Sequence, residues 1–473
     1  MSTSTFKKTK IVCTIGPASE ERGVLQAMVR AGMDAARLNF SHGDYEGHAR
    51  RYEAVRAVAA EAGREIAVML DIQGPKIRTG PGTNLTLAEG SRLAVGTAEQ
   101  GAAPDLVIDY PYLCEDLKPG GAIFLCDGMI ELMVEGSRGE ALICRVVRGG
   151  EVGPRKGVSL PGVEVRLPAL TAKDIEDLKF GAGLGVDLVA VSFVRRADNL
   201  HEVRGVLRAA GSRAQVIAKI ENQEALANIE EIVAAADGLM VARGDLGVEV
   251  PPEEVPLLQK SLIARCNHAG KPVITATEML ESMVRNPRPT RAEVTDIANA
   301  IVDGTDAIML SAETAVGRHP VAAVEMMARV ARRTESALGY QEILARTQVG
   351  PSRSVSDAIS HATCQAALDL DLAAVITATQ SGSTARMVAR FRPKVPIIAA
   401  TPDLVVARQL CLVWGIHPVL VDRTTSIDAM LDAGEAAAKA TGLCQSGDLV
   451  AITAGVRTGI PGSTNLLKIH RLA

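Results

Sequence analysis

Between Lys10 and about residue 340, short β-branched runs alternate eight times with longer amphipathic segments, a pattern that few architectures can accommodate. The strand-like runs are KIVCTI, AARLNF, IAVMLDI, VDLVAVSF, QVIAKIE, GLMVARG, PVITATE and DAIMLSAE. Helical patterns lie between them, and several, such as YEGHARRYEAVRAVAAEAG and RAEVTDIANAIVDG, close at a glycine, the residue that most easily takes the left-handed helix cap. Eight successive βα units predict an α/β fold of the (β/α)8 TIM-barrel type.

The alternation breaks once. Residues 75–167 lose helical periodicity and read as short strands broken by Gly and Pro, which predicts an inserted small β-barrel domain. An insert that leaves and rejoins at the end of the third strand sits over the mouth of the barrel, where it can act as a water-excluding lid. After about residue 343 the alternation restarts as an open-sheet α/β domain. The expected division is 1–74 and 168–342 for the barrel, 75–167 for the lid and 343–473 for the C-terminal domain.

Composition narrows the partners. With 51 basic against 55 acidic residues, a net charge of -4 gives no overall field to attract nucleic acid or an anionic membrane. The polar start MSTSTFKKTK lacks a signal-peptide core, and no run reaches membrane-spanning length, so a cytoplasmic protein is expected. The eight cysteines are scattered without a CxxC pair, as suits reduced, packed thiols.

In a TIM barrel the chemistry gathers at the carboxyl ends of the strands. There this chain places Arg37, Asn39, Ser41 and His42 after the second run and Asp71 after the third. Lys219 and Glu221 follow the fifth run, Arg243, Gly244 and Asp245 the sixth, Thr277 and Glu278 the seventh, and Ser311 and Glu313 the eighth. Taken singly, each could be a cap or a hydrogen-bonded strand end; six strands agreeing points to a site. Glu221 and Asp245 suit a hard divalent cation such as Mg2+. Lys219, two residues before Glu221, shares its side of the strand, and Arg37 and Arg78 offer planar forks for phosphoryl oxygens. There is no Walker A sequence. The stretch AVMLDIQGPKIRTG, residues 67–80, sets Lys76 and Arg78 close after Asp71, either as a solvated turn or as part of an anion and metal site.

These motifs, KIVCTIGPAS, ARLNFSHG, DIQGPKIRTG, IAKIEN, MVARGDLGVE, ATEMLESM, PTRAEVTDIANAIVDGTDAIMLSAETA and PGSTN, resemble those of pyruvate kinases over nearly the whole chain. The resemblance implies phosphoryl transfer from phosphoenolpyruvate to ADP, giving pyruvate and ATP, in a homotetramer with a C-terminal regulatory domain. It implies that Glu221 and Asp245 hold Mg2+, with Mn2+ as a substitute, and that Lys219 stabilises the phosphoryl in flight. Thr277 and Gly244 are implied beside the substrate, Arg37 and Arg78 at its phosphate, and Asn39, His42, Arg78 and Lys173 near the nucleotide. Asn39, Ser41 and Asp71 match a monovalent-cation region. There the potassium-dependent members carry DTKGPE, and this chain has DIQGPK, with Lys76 in place of the glutamate. The chain therefore resembles the potassium-independent branch, with the Lys76 ammonium standing in for K+. In the C-terminal domain Thr379, Ser381, Ser383 and Thr384 lie at a strand-to-helix turn, either an ordinary N-cap or a phosphate cradle. The resemblance favours a phosphorylated effector there, a sugar phosphate or AMP, with Arg457 approaching from a later loop. A magnesium-dependent aldolase or lyase would share the Glu–Asp pair without needing the lid or Lys219, and a non-catalytic protein on this fold would be expected to lack one of those groups.

Overall fold

The computed structural model describes residues 6–97, 104–347, 354–424, 426–455 and 464–473. Eight parallel strands close into a barrel: β1 (Lys10–Thr14), β2 (Ala35–Asn39), β3 (Ala67–Ile72), β4 (Leu188–Val191), β5 (Gln215–Ile220), β6 (Gly238–Ala242), β7 (Val273–Ala276) and β8 (Ala307–Leu310). Each strand is apolar on both faces, as a parallel sheet wrapped by helices requires. One face packs against the surrounding helices, for example Leu38, Leu70, Val216 and Ala218. The alternate face fills the barrel with Val12, Ala35, Met69, Ala190, Ile217, Met240 and Met309. Local signals fix the helix starts: Thr171 with Asp174, and Thr290 with Glu293, form capping boxes.

The insert is a six-stranded curled sheet with a two-stranded ribbon, Leu85–Leu87 with Gly150–Val152, around its own core of Val95, Ile108, Ile123, Leu132 and Val146. The outer strands of the larger sheet, Val158–Ser159 and Leu106–Val107, do not pair directly. Arg78 bridges to Gly157 and Thr79 to Ile108, so the connection that leaves the barrel joins the two edges of the curl. The predicted β-barrel insert is thus closed by isolated bridges, not by a continuous ladder.

The C-terminal domain is a five-stranded sheet in which Ala374–Ala378 lies between Ile397–Thr401 and Leu449–Gly455; the last strand, Thr464–Arg471, runs antiparallel. Helix Tyr340–Thr347 packs Leu344 into the core of this domain. Cys411 and Leu412 reach into the base of the barrel interior. Arg392 forms a buried two-pronged pair with Asp306 at the start of β8 (2.8 and 2.9 Å), and Asp306 also accepts the Trp414 amide (3.0 Å). All eight cysteines are unbridged thiols. No helix among the described residues is long and apolar enough to cross a membrane.

Candidate active site

Side chains alternate along a strand, and that alternation builds the site. On β2, Ala35 points into the barrel, so Arg37 does too; on β3, Met69 puts Asp71 inward; on β5, Ile217 brings in Lys219 and then Glu221. The fill is apolar below and charged at the top. Asp71 lies opposite Asn39 and Ala190 in the sheet and is 1% exposed. Arg37 Nε donates to Asp71 Oδ2 (2.6 Å) and its Nη1 to Thr14 Oγ1 (2.9 Å). The Lys219 ammonium stands 2.9 Å from Glu221 Oε1 and 3.4 Å from Asp71 Oδ1, and donates to Ser192 Oγ at 2.6 Å. The Ser192 hydroxyl donates in turn to Ile72 O (2.8 Å), and the Phe193 amide donates to Glu221 Oε2 (2.7 Å).

Burial acts against the charges of Asp71, Lys219 and Glu221, and pairing overcomes it at the first two. Burial pushes the Asp71 carboxyl up, but Arg37 and Lys219 hold it below the usual carboxylate range. Burial likewise disfavours the Lys219 ammonium, and Asp71 and Glu221 hold its pKa well above that of an ordinary lysine. Glu221 is shifted upward by burial, Lys219 opposing and Asp245 adding to the shift. Lys219 is therefore a fixed cation beside a carboxylate that gains from any further positive charge.

That charge has a place. Glu221 and Asp245 both line a cleft of about 710 Å3 between barrel and lid, walled on the lid side by Phe124, Gly157 and Val158. Among the described residues no group of three or more His, Cys, Asp or Glu surrounds one point. Of the carboxylates that line this cleft, Glu221 is buried and Asp245 open, and such a pair completed by substrate and water oxygens is a donor set that fits a hard divalent cation. Lys76 also lines the cleft; its Nζ stands 3.6 Å from Asp245 Oδ1, and its stem lies against Gly157 of the lid. Of the four residues grouped as a monovalent-cation region, Asn39, Ser41 and Asp71 lie together. Ser41 N donates to Asn39 Oδ1 (3.2 Å), and Phe40 N donates to Asp71 O (3.0 Å). Lys76 pairs instead with the Asp245 carboxylate.

Residues 6–324 match the family described as "Pyruvate kinase, barrel domain", and residues 357–470 match "Pyruvate kinase, alpha/beta domain". The chain belongs to the pyruvate kinase family. Pyruvate kinases from Geobacillus stearothermophilus and Clostridium acetobutylicum are 52% and 47% identical to it, in each case over 98% of this chain, covering 80% and 99% of the relative. The enzyme is a phosphotransferase that moves the phosphoryl group of phosphoenolpyruvate to ADP, giving pyruvate and ATP, the glycolytic reaction. It works with the divalent metal that this family needs.

On the other rim of the mouth, Lys173 Nζ donates to Phe40 O (2.9 Å) and pairs with Asp177 (2.6 Å), tying the start of helix Ala172–Leu184 to the loop carrying Asn39, Ser41 and His42. The His42 ring is exposed, and its carbonyl accepts from His48 Nε2 (2.9 Å). Arg78 stands apart from this group: its Nη1 donates to Arg155 O (3.0 Å) in the lid. Thr277 Oγ1 accepts from the Gly244 amide (2.9 Å) and donates to Ala276 O (2.7 Å). Glu313, read as a rim residue, is instead a buried joint that accepts the Leu280 and Ser311 amides (3.0 and 2.7 Å).

Ser192 escaped the sequence reading. It lies one residue past β4, at the inward parity of Leu188 and Ala190, so extending the alternation would have found it. In the C-terminal domain the turn begins at Thr379, and helix Ser383–Ala389 follows Gly382, whose φ of +79° suits glycine. Ser381 O accepts from Arg386 Nη2 (2.8 Å), and Ser383 is part-exposed. The Thr384 hydroxyl is turned away to Thr464 Oγ1 (2.9 Å). Arg457 lies outside the described residues.

Proposed function

We propose that the inward cluster of Arg37, Asp71, Lys219 and Glu221, whose Glu221 lines a cleft together with Asp245, is the phosphoryl-transfer centre, and this juxtaposition carries the reading. Glu221 and Asp245 hold Mg2+, for which Mn2+ can substitute; when bound, the cation supplies positive charge against the phosphoryl oxygens. Arg37 and Arg78 bind the phosphate of phosphoenolpyruvate. Gly244 and Thr277 face the substrate, with Thr277 ordering the water that protonates the enolate. Lys219 stays charged and neutralises both the transferring group and the enolate left behind. Asn39, His42, Arg78 and Lys173 bind the nucleotide, and closure of the lid over residues 75–167 removes water and strengthens each of these contacts. The enzyme acts in the cytoplasm as a homotetramer.

Lys76 brings to this rim the fixed positive charge that K+ brings in relatives with glutamate at its position. Support comes from its place on the cleft, 3.6 Å from Asp245, while Asp71 already holds two protein cations. The testing experiment is steady-state turnover with Mg2+ and a large organic cation as the sole monovalent ion. Added K+ should raise the parent rate by less than about twofold, and Lys76→Glu should lower it at least about tenfold by reversing a charge at the substrate's phosphate. A strong K+ requirement in the parent enzyme contradicts this reading.

The turn at Thr379, Ser381, Ser383 and Thr384 binds the phosphate of an effector, a sugar phosphate or AMP. The start of helix Ser383–Ala389, which carries no side-chain cap bond among the described residues, and the part-exposed Ser383 support it; Thr384 contributes through its backbone, since its hydroxyl is engaged. Ser383→Glu puts a carboxylate where the phosphate sits and is expected to abolish the response to effector while sparing activity at saturating phosphoenolpyruvate. Overlaid effector titrations of parent and variant place the site elsewhere.

A further inference from the structure

Strand β7 runs into two consecutive non-glycine residues in left-handed backbone, Thr277 (φ +65°) and Glu278 (φ +58°). A β-branched residue there is an outlier, because its Cβ crowds the backbone, and such a turn persists only when its surroundings hold it. The holding group is Arg243, 8% exposed, at the end of β6. It stands among the rim residues by sequence, but its fork turns back beneath the turn. Nε donates to Ala276 O (3.2 Å) and Nη2 to Thr277 O (2.5 Å), the carbonyls on either side of the strained α-carbon. Nη1 reaches Asp296 Oδ1 (2.7 Å) and Gln259 Oε1 (3.4 Å) on two flanking helices, Arg291–Asp303 and Val255–Ala269, which anchor the fork. Ala276 O is shared: it accepts from Arg243 and from the Thr277 hydroxyl, whose remaining partner is the Gly244 amide. The rotor of Thr277 is therefore set by a carbonyl that Arg243 holds in place.

We infer that Arg243 is a positioning residue for the proton step. By fixing the turn and the Ala276 carbonyl it aims the Thr277 hydroxyl, and so the water that protonates the enolate. In that step the C2–C3 π pair of the enolate takes a proton drawn from bulk water, C2–O becomes the keto group, and one solvent proton is consumed overall. The inference rests on the role proposed above for Thr277.

The test compares the parent enzyme with Arg243→Lys, Thr277→Ala and the double variant. Wash-in of deuterium into the pyruvate methyl group is followed by NMR in D2O with Mg2+ and ATP, alongside the phosphoenolpyruvate KM and Mn2+ affinity. Lysine keeps the charge but cannot span both carbonyls. Arg243→Lys should slow wash-in about 30-fold while KM and Mn2+ affinity stay within about twofold, and adding it to Thr277→Ala should cost less than about twofold more, the non-additivity of residues acting through one another. Losses that multiply in the double variant, or a fall in Mn2+ affinity in step with activity, overturn the inference; the latter would mean that Arg243 acts through the neighbouring Asp245. If Thr277→Ala alone leaves wash-in unchanged, the reading of Thr277 fails first and takes the inference with it. Should Arg243→Lys fail to fold, Asp296→Asn, which loosens the outer anchor of the fork, should show the same signature at about fivefold, and additivity with Thr277→Ala again overturns the inference.

Discussion

Replacing Lys219 by methionine is expected to cut kcat about a thousandfold or more while the protein still folds. Methionine has nearly the length of the lysine stem, so packing within the barrel mouth is kept and the charge alone is lost. A preorganised donor aimed at developing charge contributes on the order of 3–4 kcal/mol to the transition state, and a full positive charge out of water contributes more. Lys219 meets that description: it is buried, bonded to Ser192, and held ionised by Asp71 and Glu221. The variant leaves Asp71 its bond to Arg37, but Glu221 loses its cation. Glu221 is then more easily protonated, and the stability cost of burying its charge grows as pH rises through its raised pKa unless metal takes the place of the lost cation. A coupled assay of pyruvate, with circular dichroism as the folding check, measures the effect. A folded variant within tenfold of the parent rate would remove Lys219 from the role given to it.

The second large effect is that of Glu221→Gln. The amide oxygen can still accept from the Phe193 amide, so the loop after β4 keeps its tie to β5. The substitution removes one of the two cleft carboxylates proposed to hold the cation. It also leaves the Lys219 ammonium with Asp71 and Ser192 as partners. Neutral oxygen binds a hard divalent ion less well than carboxylate, and Mn2+ affinity should fall about 100-fold, taking turnover at millimolar metal down with it. Raising the metal concentration should recover part of the rate. Isothermal titration against activity at stepped Mn2+ checks this, and an unchanged affinity would show that Asp245 and the substrate hold the ion without Glu221.

What could be read from sequence was what strand periodicity controls. Apolar residues at Ala35, Met69 and Ile217 fix the inward parity of their strands, and Arg37, Asp71, Lys219 and Glu221 inherit it. Ser192 was accessible to the same rule one residue beyond a strand end. Directions outside regular strands were not accessible, because they depend on contacts between distant segments. Arg78 leans onto Arg155 of the lid, and Lys76 reaches Asp245 instead of Asp71, because the turn at Gly74 and Pro75 leads straight into the lid. Arg243 follows the strand-end rule in sequence and breaks it in space, because buried carbonyls on the next strand compete for its fork. Thr384 looked like a free hydroxyl until Thr464, on an antiparallel edge strand, met it from 80 residues away.

One charged cluster is proposed to carry two functions, Lys219 acting on the phosphoryl group and Glu221 on the metal, although their side chains are 2.9 Å apart. Mn2+ binding by electron paramagnetic resonance, run on the parent, Lys219→Met and Glu221→Gln proteins at one slightly alkaline pH, separates them. Lys219→Met should bind Mn2+ within about threefold of the parent and yet be nearly inactive, and Glu221→Gln should lose binding and activity together. If Lys219→Met loses the metal in proportion to its activity, or Glu221→Gln binds it as the parent does, the division of labour is wrong.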